Sequence, residues 1–256
     1  MKNRTIALGL LLAGLGLFGC KNGTLPDPND PSDVGVTQPD VLRNDLKGAS
    51  DSLYERVYHR ELTDKQAQDY LAKYADDLVS GLKIEKVPVD KAWEYADVFR
   101  TARNWKQAQA FYKIAVKNAK NEDRRVNDSL RLAEMDCKLH DVPDAIKLVR
   151  STFNTPPGAK APILIATLLE VVPAGRGQGY DKELGLLLED AIKQGEETVV
   201  DPTTVPGNAY ILALPHHVAN AWLTCVQLFM DSGHPDLAQK AGQMANRDSN
   251  PHSTTL

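Results

Sequence analysis

The chain has 256 residues, of which 42% are hydrophobic and 25% charged, with a formal net charge of −4; this is an ordinary globular composition that excludes wholesale disorder. A mildly acidic chain has no general attraction to nucleic acid or to anionic lipid, so no nucleic-acid partner is expected. Three cysteines in this length exclude a dense disulfide framework.

Residues 1–19 read as a leader, with basic Lys2 and Arg4, the apolar run Thr5–Phe18 and then Gly19-Cys20. The run is shorter than the roughly 20 apolar residues that span a bilayer, and Gly9, Gly14 and Gly16 interrupt it. Leu17-Phe18-Gly19-Cys20 resembles the bacterial lipoprotein signal, in which a small residue precedes a cysteine that is lipidated and becomes the new N-terminus. That resemblance implies acyl chains on Cys20, and at about 0.8 kcal/mol per buried CH₂ more than one chain anchors stably. It places the protein in the bacterial cell envelope, held to a membrane by lipid and facing outside the cytoplasm. Lys21 stands where some bacteria use an aspartate to retain lipoproteins in the inner membrane, which favours the outer membrane. A plain secretory signal or an uncleaved anchor is the alternative. The rest of 20–40 is a linker, with Pro26, Pro28, Pro31 and Pro39 among Asp27, Asp30, Asp33 and Asp40. It cannot bury a core, is expected to be disordered, and reaches at most about 60 Å in polyproline geometry.

Helical periodicity takes over at 41–89. Leu42, Leu46, Ala49, Leu53 and Val57 form one apolar stripe, and Ala67, Tyr70, Leu71, Tyr74, Leu78 and Leu82 form a second. Thr63 and Gln66 read as a capping box opening the second helix. This hairpin is expected to cap one end of the domain. The alternation of a strand is convincing nowhere, and only Ala209–Leu214 is ambiguous.

Residues 90–250 contain self-similar stretches beginning at Ala92, Ser129 and Trp222. In each, a helix-like run meets a polar turn (Arg103-Asn104, His140-Asp141, Gly233-His234), and a second run opens near Trp105, Pro143 or Pro235. Ala108, Ala145 and Ala238 then fall at matching places; Ala115 and Ala245 match again seven residues on, and Thr152 takes that place in the middle copy. Small residues let two helix axes approach to about 8–10 Å. Ala108 followed by Tyr112, with Phe99, Trp222 and Phe229, resembles the tetratricopeptide repeat. The resemblance implies an all-α fold of helical-hairpin repeats, a TPR-like α-solenoid. Asp136 and Gly242 depart from the pattern, so the repeats are degenerate. A further unit is expected from Pro162–Val172, a glycine-rich loop and Asp181–Gly195, and residues 251–256 read as a disordered tail.

The resemblance also implies a groove lined by the first helix of each hairpin. Carried onto this chain, its outward register gives Trp93, Asp97 and Arg100, then Leu130, Glu134 and Lys138, then Leu223, Gln227 and Met230. An exposed aromatic flanked by both charge signs suits a protein or peptide partner, although Trp93 could equally pack on the preceding hairpin. The expected function is that of an envelope adaptor or assembly factor, without cofactor or catalytic residues.

The competing reading is a hydrolase or small-anion-binding lipoprotein using Pro173–Glu183, where Gly175, Arg176, Gly177 and Gly179 precede a helix and offer backbone N–H groups. Nucleotide loops of that kind follow a strand, and what precedes this one reads as helix. His216 and His217 are adjacent and point about 100° apart on a helix, unlike a chelating i, i+4 pair, so no metal is expected. Cys225 falls on a buried face, and Cys137 is expected nearer the groove and partly exposed, both as free thiols.

Overall fold

A computed structural model describes residues 37–249. The leader, Cys20, the linker up to Val36 and the tail from Asn250 lie outside the described residues. Among those described, every regular element is helical and no strand occurs.

The helices form five consecutive pairs. The first is α1 (Pro39–Tyr58) with α2 (Asp64–Val79), and the second is α3 (Ala92–Thr101) with α4 (Trp105–Lys117). The third is α5 (Glu122–Lys138) with α6 (Val142–Ser151). In the fourth, α7 (Ala161–Ala166), a π-turn (Thr167–Val171) and α8 (Val172–Gly175) make one rod that pairs with α9 (Asp181–Glu196). The last is α10 (Val205–Asp231) with α11 (Pro235–Ser249), and α10 also packs on α9. Ala209–Leu214, ambiguous in sequence, is helix inside α10.

Local chemistry sets the starts. Thr63 and Gln66 satisfy each other's backbone N–H groups in the expected capping box. Asn104, Asn121 and Thr204 accept from the N–H of Gln107, Arg124 and Gly207 to open α4, α5 and α10. The stops of α1, α3, α5 and α10 share one geometry. Arg60, Arg103, His140 and Gly233 adopt positive φ, and the next residue's N–H reaches back to Arg56, Phe99, Asp136 or Phe229. This is the Schellman turn, which satisfies the last carbonyls of a helix. Gly177 has positive φ after α8, so Arg103, His140 and Gly177 stand at equal intervals of 37 residues.

Small residues fill the contacts between helices. Ala75, Ala96, Ala108, Ala133, Ala145, Ala221 and Ala241 are fully buried, and Ala115, Ala238 and Ala245 nearly so. Phe99 and Phe111 stack at 5.5 Å in the same cluster as Ala96, Ala108 and Ala115. In α2 the buried face is Ala67, Ala72, Ala75 and Val79, while Tyr70 and Tyr74 are exposed. The expected stripe is therefore rotated, because the approach of α3 leaves room for alanine and none for tyrosine.

Two apolar clusters form the core, one over α1–α5 and the other over α5–α11. Helix α5 belongs to both: Leu132 and Met135 face the first, and Val126, Leu130, Ala133 and Cys137 the second. The stretch Pro157–Gly175, which includes this rod, is long and apolar enough to cross a membrane, yet Ile163, Leu164, Leu168, Val171 and Val172 are buried in the second cluster. Its π-turn ends two residues before Pro173, whose ring lacks an N–H and would clash with the carbonyl of Leu169 in a regular helix.

Candidate functional site

On one side of the stack, side chains bridge the first helix of each pair to the first helix of the next. Arg43 of α1 lies 4.8 Å from the Trp93 ring centroid on α3 and pairs with Glu94 at 3.4 Å. Arg124 of α5 lies 3.5 Å from the same ring and grips Asp128 at 2.7 Å. Arg100 of α3 reaches Glu134 of α5 at 3.3 Å, and Tyr112 donates its hydroxyl proton to Asp97 at 2.5 Å. Arg131 of α5 pairs with Glu170 in the π-turn. Arg176, just past α8, pairs with Asp231 of α10 at 2.6 Å. The row is unbroken from α1 to α10.

Burial governs the electrostatics of the row. Desolvation raises the pKa of Glu134 against the pull of Arg100, and raises that of Asp128 against Arg124. Burial and then Asp97 push the Tyr112 phenol far up, so it remains a donor at physiological pH. At the solvent end of the row, the Arg176 hydrogen bond holds Asp231 below the ordinary carboxylate range.

Most of the register residues lie along this side, with different exposure. Trp93 is half-buried between two guanidinium groups, so the aromatic is held by the preceding and the following hairpin. Asp97, Arg100 and Glu134 are tied to one another or to Tyr112. Leu130 is a correction: it is 1% exposed inside the second cluster, because α5 has apolar neighbours on two sides and its helix face turns inward there. Lys138 leans to the Trp105 ring, 5.7 Å away, beside an open cleft of about 660 Å³ that Asp69, Lys73, Arg103 and Trp105 help line. Leu223 and Met230 are exposed on α10, and Gln227 donates to Asp231. Leu169, exposed in the π-turn, stands seven residues from Arg176, as Leu223 stands seven from Met230.

The glycine-rich segment is the inter-helix turn of the fourth pair. Arg176 is engaged by Asp231, and the Gly177 N–H donates to Asp181 at 2.8 Å. Gln178 donates to the carbonyls of Cys137 and Ala174, so its amide oxygen faces His140 Nδ1 at 2.9 Å and that nitrogen carries the proton. A Cβ on Gly175 would come within 3.1 Å of Cys137 Sγ, so this glycine marks close packing. Gly179, with positive φ, completes the turn. An incoming anion would have to displace carboxylates of the chain itself.

Cys137 is a second correction, being fully buried with its pKa raised by burial to about 12. Cys225 is equally buried and shifted upward, and both thiols are free. Neither is a thiolate near neutral pH. The sequence reading missed Arg43, Arg124, Arg131, Glu170 and Asp231, whose partners are distant in sequence. It also missed the turn at Gly177, which the interval between Arg103 and His140 could have located.

No family model matches this chain, and neither a curated protein nor a solved structure is similar enough to indicate kinship.

Proposed function

We propose that this protein is a TPR-like adaptor of the bacterial cell envelope, tethered through lipid on Cys20, which holds a protein or peptide partner along the bridged side of its hairpins. Supporting the repeat reading, the αL turn recurs, and at Arg103, His140 and Gly233 a buried alanine follows five residues on, at Ala108, Ala145 and Ala238. The observation that carries the binding reading is the contrast along one side. Paired charges and Trp93 are fixed at the α3–α5 end, while Leu169, Leu223 and Met230 stand bare towards the α10 end. Fixed charges orient a partner, and apolar side chains supply the area that binding buries. The partner segment therefore carries apolar side chains at one end and hydrogen-bonding or charged groups at the other.

Photo-crosslinking side chains placed at Leu223 and Met230 test this in the native envelope. The expected result is one discrete adduct, lost when Leu169→Arg is added and the thermal unfolding is unchanged. Adducts with no defined partner at either position would refute the groove.

A further inference from the structure

A helix that receives another helix presents a stripe to it, and α10 presents a stripe longer than the helix it has received. At about 1.5 Å per residue, the 27 residues of α10 span about 40 Å and the 15 of α11 about 22 Å. Helix α11 turns back along α10 from Ser232–His234, and a Cβ at Gly242 would lie 3.8 Å from Val226. Steps of seven from Val226 lead to Ala219, Leu212 and Val205, one heptad line along α10. Ala219 is half-buried, whereas Leu212 is 74% and Val205 85% exposed, with Ile211 beside them at 44%. The line becomes bare where α11 runs out. A groove of about 510 Å³ opens next to it, between Pro162 and Ile165 of α7, Val199, and Tyr210 of α10.

The composition of this stretch narrows what covers it. No Asp, Glu, Lys or Arg occurs between Asp201 and Asp231, in a chain that is 25% charged. A surface without fixed charge is able to meet its own copy with no like-charge repulsion, which a two-fold contact requires because each patch faces itself. Residues 250–256 offer only Pro251 and Leu256 as apolar side chains, too few to cover Val205, Ile211 and Leu212. Continuity with the α10–α11 contact specifies a helix as the covering element.

We infer that a second copy of this chain covers the face, with the N-terminal halves of two α10 helices packed antiparallel about a two-fold axis. Each copy takes the place beside α10 that α11 leaves open. The contact is independent of the partner groove.

The test is the protein mass of the full-length chain in mild detergent, measured by sedimentation at micromolar concentration. The expected mass is that of a dimer. Leu212→Asp or Val205→Asp should raise the dissociation constant at least about tenfold, since an unpaired carboxylate is buried at the contact. Tyr58→Asp, which removes an exposed apolar residue on α1, should leave the dimer intact. Because Leu212 and Val205 are exposed in the single chain, their variants should melt like the parent when diluted to monomer. A monomeric parent, or a dimer indifferent to Leu212→Asp, overturns the inference. So does a chain that becomes dimeric only when residues 250–256 are removed, because the tail is then the occupant.

Discussion

Single side chains decide where this fold has no slack. Gly185 on α9 faces the Phe229 ring, and a Cβ there would lie 2.6 Å from Phe229 Cε1. An alanine in mid-helix ordinarily adds about 0.5–1 kcal/mol over glycine, but overpacking costs about 1–3 kcal/mol and wins here. Gly185→Ala should therefore destabilise the protein, as read by urea unfolding. Arg60 is the opposite case. It holds φ of 61° at the end of α1, a conformation that costs a non-glycine residue about 1 kcal/mol or more. Arg103 and His140 carry the same strain, but their side chains pair with Asp69 and Gln178 across to other hairpins. Arg60→Gly should stabilise by up to about 1 kcal/mol, the greater freedom of glycine in the unfolded chain offsetting part of the gain. A lower urea midpoint for this variant would show that the turn is not strained.

At the scale of the element, α5 is the unusual one. It reads as a polar helix, yet Asp128, Glu134 and Asp136 are buried because hairpins pack on two of its sides. Each has a partner: Arg124 for Asp128, Arg100 for Glu134 and Gln109 for Asp136. Burial raises all three pKa values above the ordinary carboxylate range. A raised acid binds its proton more tightly in the native state, so ionising it at neutral pH subtracts from stability. That deficit is relieved as pH falls through the raised pKa. Asp69, Glu122 and Asp231, held low by Arg103, Arg125 and Arg176, act oppositely and lose their contribution only as pH falls through their depressed values. Stability should thus hold or rise from neutral pH towards the ordinary carboxylate range and fall only below it. Asp136→Asn keeps an acceptor for Gln109 and removes the charge. It should be more stable than the parent at pH 7 and show less gain on acidification, measured by denaturant unfolding at pH 7 and pH 5.

For the molecule as a whole, the bridged side and the lipid proposed on Cys20 define how it would work. Under the proposed lipidation of Cys20, a tether that reaches at most about 60 Å would let the hairpins search the space near one membrane and would raise the effective concentration of an envelope partner. Cys20→Ser should abolish incorporation of labelled palmitate and move the protein from the membrane fraction to the soluble fraction. Retention in the membrane would favour an uncleaved anchor over lipidation. The partner capture proposed at Leu223 and Met230 should survive in the released protein at high concentration, since the proposed groove does not include the tether.

Periodicity, capping residues and alanine spacing made the helices legible without coordinates, because each depends on residues within a few positions of one another. Thr63 with Gln66, and the matched Ala108, Ala145 and Ala238, are of that local kind. The rotation of Tyr70 and Tyr74 to solvent, the burial of Leu130 and Cys137, and the engagement of Arg176 by Asp231 were not legible. Each depends on which neighbour arrives from tens of residues away, and a charge on a helix carries no local mark of its distant partner. The sequence by itself determined that the described residues would wind into helices, since hydrogen bonding and side-chain period are settled within a turn or two. Only the tertiary structure decided which face of each helix met another. Packing is a property of two surfaces, and one of them is always elsewhere in the chain.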